Sequence, residues 1–157
     1  MLSPVDSARA RQLLERWYKT MSARDFGKLR ALVDEVADPD MVTEYPQSGE
    51  KFRGKANNLA ILENYPDLPE ATIKEVHGSE DKWVLTPSFT PLRITGTGDH
   101  YVVEGTVQYP NGETWHFVDL MELRGDRVTK VTEYFAAPFP PAEWRAKWAV
   151  KTESPAR

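Results

Sequence analysis

The chain of 157 residues contains no cysteine. That absence excludes disulfides, thiol nucleophiles and thiolate metal sites together, and leaves the redox compartment open. Only three histidines occur, His77, His100 and His116, and none has metal-ligand spacing, so no metal is expected. No stretch approaches the roughly 20 apolar residues that span a bilayer. Arg9, Arg11, Glu15 and Arg16 interrupt any run that could serve as a signal peptide. A strong charge of one sign is missing too: 20 basic residues stand against 24 acidic ones, interspersed, for a net charge of −4. Nucleic acid and membrane are therefore not expected as partners. No helix follows the turn-like Gly96-Thr97-Gly98, so it is no phosphate loop, and no nucleophile elbow is visible. These absences lead to an expectation of a cytoplasmic protein without a cofactor.

Enough remains to build a core. Hydrophobic residues make up 40% of the chain and aromatics 11%, which points to one folded domain over residues 1–150 with a frayed tail at 151–157. Ser3-Pro4-Val5-Asp6 reads as a helix start, and Leu13, Leu14, Trp17, Tyr18 and Met21 follow at helical spacing. Asp25 caps a second predicted helix carrying Phe26, Leu29, Leu32, Val33 and Val36, which Ala37-Asp38-Pro39-Asp40 ends. A short strand, 41–45, precedes a loop at 46–50, and a third helix is predicted over about residues 55–64. Strand-like runs then occupy 71–77, 82–86, 101–109, 114–123 and 127–135, divided by turn residues. Pro141 opens a short last helix with Trp144 and Trp148. Helices first and an antiparallel meander afterwards predict an α+β fold.

Asn111-Gly112 between two strand-like runs predicts a two-residue turn, since both residues tolerate positive φ. That register sets Gln108 against Trp115, Thr106 against Phe117, Glu104 against Asp119 and Val102 against Met121. Trp115, Phe117, Met121 and Leu123 make their face the more apolar one, so it should point at the helices. Asp119 then lies inside with Glu104 opposite. Glu133 joins them from the next strand, between Val131 and Phe135, if the loop at Gly125-Asp126-Arg127 has three residues. Tyr101, Val103, Val107 and Tyr109 fall on the outer face, an apolar patch that predicts a homodimer through the back of the sheet.

Trp17-Tyr18 with Ser22-Ala23-Arg24-Asp25-Phe26, Val42-Thr43-Glu44-Tyr45-Pro46 with Phe52-Arg53-Gly54-Lys55, and Leu123-Arg124-Gly125-Asp126-Arg127-Val128 running on to Glu133-Tyr134-Phe135 carry a resemblance. Together with Pro138-Phe139-Pro140-Pro141 and Trp144-Arg145, they make the chain similar to the SnoaL-like branch of the nuclear-transport-factor-2-like superfamily. The resemblance implies a cystatin-like cone, three helices packed into the concave face of a strongly curved antiparallel sheet, an α+β barrel. It also implies polyketide cyclases, epoxide hydrolases, steroid isomerases, dehydratases and binding proteins as relatives. Against the epoxide hydrolases Glu133 matches the water-activating acid and Glu104 the second acid. Val102 stands where that family has its bridging Arg, and Val42 and Glu44 where it has Tyr and Asn. The cyclases' last-strand acid matches Glu133.

Opposed carboxyls in an apolar pocket repel, which keeps one protonated and provides an acid and a base near neutral pH. Glu133, Asp119 and Glu104 are therefore the catalytic candidates. Trp17, Tyr18, Glu44, Trp115, Phe117, Met121 and Phe135 are the expected pocket residues, around a hydrophobic ligand of polyketide, terpenoid or steroid type. A rim carboxylate in water, or one paired with Arg, would satisfy the same pattern without catalysis. Acid–base enzyme and non-catalytic binding protein both stay open at this level.

Overall fold

A computed structural model describes residues 7–22, 26–64, 88–108 and 112–152. Helix α1 spans Ser7–Ser22 and buries Ala10, Leu14, Trp17 and Tyr18 at the spacing of one helical stripe. Helix α2, Phe26–Val36, contributes Leu29, Leu32, Val33 and Val36 to the same core. The predicted starts at Ser3 and Asp25 lie outside the described residues. Strand β1, Ala37–Tyr45, begins directly at the residues expected to end α2. It turns through residues 46–49 into β2, Glu50–Arg53, a strand that begins inside the expected loop at 46–50. Helix α3, Lys55–Glu63, follows. Its buried Asn58 donates through Nδ2 to the carbonyls of Met41, Phe52 and Gly54, tying the helix to β1 and β2.

Four strands complete the sheet: β3 (Ser88–Thr97), β4 (His100–Gln108), β5 (Thr114–Arg124) and β6 (Arg127–Ala136). A 3-10 turn at Glu143–Trp148 takes the place of the expected last helix. The expected strands at 71–77 and 82–86 lie outside the described residues. The sheet order is β2-β1-β6-β5-β4-β3. It is mixed rather than wholly antiparallel, because β1 runs parallel to β6, and among the described residues β2 and β3 lie at its edges and the sheet does not close into a barrel. Strand β3 escaped the sequence reading because Pro91 and Gly96 interrupt it. It tolerates them at the edge of the described sheet, with a bulge between Pro91 and Arg93.

Two registers decide what faces the core. Strand β5 behaves as expected, with Trp115, Phe117, Asp119, Met121 and Leu123 buried. Strand β4 does not. Its last pair is Gln108 with Thr114, leaving residues 109–113 between them, so every partner shifts by one from the two-residue-turn register. Asp119 faces Val103, and Glu104 faces Val118. A one-residue shift exchanges faces: Tyr101, Val103, Gly105 and Val107 are buried and Val102 is exposed. The outer patch expected from Tyr101, Val103 and Val107 is therefore core, and Tyr109 lies outside the described residues. Gly105 suits its place, since a Cβ there would sit 2.3 Å from the Thr90 carbonyl and 2.5 Å from the Phe117 ring.

The β5–β6 connection brings Glu133 inside by another route than a three-residue loop. Arg124 pairs with Arg127, so the turn has two residues, with Gly125 at φ 60. Between Leu123↔Val128 and Glu122↔Lys130 the register slips, and Thr129 is the extra residue of a β-bulge. Its hydroxyl donates to the Glu122 carbonyl at 3.0 Å. Beyond the bulge Asp119 pairs with Glu133 and Phe117 with Phe135. Gln47, just past β1, bonds both main-chain groups of Phe135 at 2.6 Å and holds this end of β6 in place.

Candidate active site

Asp119 is 3% exposed on the helix-covered face of β5. Tyr18, from the buried stripe of α1, donates its hydroxyl to Asp119 Oδ2 and lies 3.5 Å from Met121 Sδ. Among the described residues Asp119 Oδ1 is buried without a hydrogen-bond partner. Glu133 stands directly across the β5–β6 pair and keeps part of its surface accessible. Aromatic rings wall this group. Phe117 stacks on Tyr18 at 5.6 Å, Phe89 meets Phe117 edge-on at 5.2 Å, and Phe135 lies 6.3 Å from Phe89.

Burial governs the electrostatics. It pushes Asp119 up to about 7 against the opposing pull of the Tyr18 hydrogen bond, which favours the ionised carboxylate. Glu133 is raised well above the ordinary glutamate value by burial first and by the neighbouring Asp119 charge second. Tyr18 is raised as well, by burial and by the two acids, so it stays a neutral donor. The two carboxyls differ in kind: one receives a phenolic hydrogen bond and the other does not.

The remaining expected site residues divide. Trp17, Trp115, Phe117, Met121 and Phe135 are all buried on the helix-covered side; Trp115 donates Nε1 to Glu113 Oε2 at 3.0 Å. Glu104 leaves the group, because the shifted register turns it to the outer face, where it ion-pairs with Arg93. Glu44 also points away, bonded to Lys51 at 2.7 Å and Lys130 at 3.3 Å, which lower its pKa. Its neighbours Thr43, buried, and Tyr45, packed against Phe52 and Phe135, take the inward positions of β1. Two further residues lie on the buried side: Phe89, on a strand the sequence pattern does not predict, and Tyr101, expected on the outer face, whose buried hydroxyl has no hydrogen-bond partner among the described residues. For Tyr101 a signal existed, since Tyr101, Val103 and Val107 form the more apolar face of their own strand. Among the described residues no cluster of His, Asp and Glu is arranged to hold a metal ion, and no helix is long and apolar enough to cross a membrane.

The profile of the SnoaL-like domain matches residues 14–131, from the middle of α1 to the centre of β6. The chain belongs to the SnoaL-like family. No curated protein matches it in sequence. Among solved structures, this SnoaL-like domain is similar to a nuclear-transport-factor-2-like protein of unknown function from Burkholderia xenovorans. That match has 28% identity and a TM-score of 0.69, over 93% of this chain and 97% of the other. A ketosteroid isomerase candidate from Kribbella flavida superposes with a TM-score of 0.72 at 19% identity, over 96% and 94% of the two chains. A polyketide cyclase candidate from Sinorhizobium meliloti gives 0.57 at 17% identity, over 78% and 94%. At those identities the last two establish the shared cone-type fold alone.

Proposed function

We propose that this SnoaL-like domain is an acid–base enzyme that isomerises or cyclises an apolar, carbonyl-bearing small molecule of polyketide, terpenoid or steroid type. The observation that carries the reading is the Asp119–Glu133 pair, in which Tyr18 donates to Asp119 and not to Glu133. Stabilised by that hydrogen bond, Asp119 is the carboxyl that ionises first, and its Oδ1 keeps a lone pair for a proton beside the ligand's carbonyl. Glu133, held protonated by burial and by the Asp119 charge, gives a proton to the ligand oxygen where charge develops. Both protons move between side chains and ligand, so the proposed chemistry needs no cofactor. The relatives named as isomerase and cyclase candidates are consistent with it. We place the domain in the cytoplasm.

Proton exchange tests the reading before a substrate is known. A panel of cyclic and polycyclic ketones is incubated with the protein in D2O, and deuterium gain beside the carbonyl is followed by mass spectrometry. At least one ketone class should exchange, and Asp119→Asn and Glu133→Gln should each abolish exchange while leaving the circular dichroism unchanged. Binding without exchange would leave the pocket a non-catalytic receptor. The near-complete enclosure of Tyr18 and Asp119, 1% and 3% exposed, favours that second reading.

Pairing of two copies through the outer sheet face also belongs to this proposal, on residues other than those expected. Leu92, Val102, Leu120 and Tyr134 are the large apolar side chains exposed there, with Val102 directly opposite Leu120 in the ladder.

A further inference from the structure

Beside the acid pair, β6 loses its main-chain neighbour and gains a side chain in its place. The β1–β6 ladder ends at Glu44↔Thr132, one residue before Glu133. Two residues beyond Glu44 stands Pro46, which has no N–H to extend a ladder. The main chain turns away instead, the amides of Ser48 and Gly49 both donating to the Tyr45 carbonyl. The Gln47 side chain then does what the main chain does not. Its Nε2 donates to the Phe135 carbonyl and its Oε1 accepts from the Phe135 amide, each at 2.6 Å. A primary amide carries donor and acceptor side by side, as the main chain of a neighbouring strand would. Glu133 is thus bracketed towards β1 by the last rung at Thr132 and the clamp at Phe135, and towards β5 it faces Asp119.

We propose that Gln47 is a positioning residue: by clamping Phe135 it fixes the end of β6, and with it the separation of the Glu133 and Asp119 carboxyls on which proton transfer depends. This inference rests on the acid–base reading above. Phe135 follows Glu133 by two residues, so their side chains share one face and move with the same stretch of strand. The Phe135 ring also ties that stretch to the site wall, 6.3 Å from Tyr45 and 6.3 Å from Phe89. Only Ala136 remains of β6 beyond it, so the clamp sits where a strand frays most easily. Among the described residues, the stretch past Glu133 would without the clamp be paired on one side alone, with β5 as far as His116↔Ala136. Glu133 would then drift from Asp119 towards water. Proton transfer tolerates little of this, since a displacement of about 1 Å can cost on the order of 100-fold in rate. Gln47 is itself exposed, so a substitution there removes the clamp without opening the core.

Gln47→Leu, which removes both bonds, tests this on two readouts. In the ketone exchange assay it should lower kcat on the order of 10–100-fold and leave KM within about twofold. In an NMR titration of the carboxyl carbons, Glu133 should titrate at lower pH than in the wild type, because a carboxyl that moves towards water loses the burial that raises it. Ser48→Ala removes the 3.3 Å bond to the Tyr45 carbonyl in the same turn but keeps the clamp, and should change neither readout. If Gln47→Leu lowers only the unfolding midpoint, with kcat and the Glu133 titration as in the wild type, the clamp is merely structural and the inference is overturned. Equal losses in Ser48→Ala overturn it as well, in favour of the turn as a whole. Should Gln47→Leu not fold, Gln47→Asn, one methylene shorter, withdraws the amide from Phe135 and carries the same measurements. A wild type that exchanges no ketone overturns the acid–base reading, and the Glu133 titration then decides the clamp by itself.

Discussion

Replacing Asp119 with Asn should stabilise the protein at neutral pH, and the size of the effect follows from the site. Asp119 titrates near 3.8 in an unfolded chain and is pushed up to about 7 when buried beside Glu133. Between those values the folded state holds a proton that the unfolded state has released, so stability falls as pH rises through this window. At about 1.4 kcal/mol per pH unit, the loss is on the order of 4 kcal/mol when complete, and it levels off above about pH 7. Asn keeps the shape, and its side-chain carbonyl still accepts the Tyr18 hydrogen bond, but it does not titrate. Wild type and Asp119→Asn should therefore be close in stability at pH 4. The gap should open in favour of the variant up to pH 7 and then stay constant. Urea unfolding at half-unit steps from pH 4 to 8 measures that difference directly; titrating groups away from the site cancel in it, and Glu133, whose pKa Asp119 helps raise, adds to it. Parallel stability curves, or a variant weaker by the same amount at every pH, would refute the burial argument. In the same variant the Glu133 pKa should fall, since the Asp119 charge that helps raise it is gone.

Tyr18→Phe should cost about 1–3 kcal/mol at pH 8, where a buried carboxylate loses its donor, and less at pH 4; chemical denaturation at the two values checks this. Gly105→Ala should lower stability by about 1–3 kcal/mol or more, because the new methyl meets the Thr90 carbonyl as well as the Phe117 ring. Thermal unfolding would show it, and an unchanged midpoint would contradict the β4 register. Glu104→Gln should alter stability by no more than about 0.5 kcal/mol, as its Arg93 pair lies at the surface. It should also leave ketone exchange intact, whereas a large loss would return Glu104 to the site.

The α+β plan was legible because α1 and β5 each bury a clean stripe of their own sequence. Asp119 and Glu133 were legible for the same reason, each an acid between apolar neighbours two residues away. Glu104 was misplaced because a turn preference was allowed to override the strand's own pattern. Asn111-Gly112 favours a two-residue turn, but that register would bury Glu104 and Gln108 and expose Tyr101, Val103 and Val107, and the cost of doing so exceeds what a turn contributes. Thr43 and Tyr45 were lost for a subtler reason. Val42 and Glu44 alternate with them in a strand where neither face is uniformly apolar, and only the parallel partner β6 settles which is inside. No local pattern reports a partner 88 residues away, and none reported the Tyr18–Asp119 bond, which spans 101.

The bulge at Thr129 compensates for the short turn before it, and the two together set the facing of Glu133. A hairpin with three residues at 125–127 and no bulge would pair Asp119 with the same glutamate. With the two-residue turn and no bulge, the strand would arrive one step out of phase, turning Glu133 to solvent and Tyr134 to the core. Insertions and deletions at this corner are therefore tolerated only in compensating pairs. Two relatives can differ in length on both sides of residue 127 and still carry the same acid pair, so aligning them by loop length would match Glu133 with a residue on the wrong face.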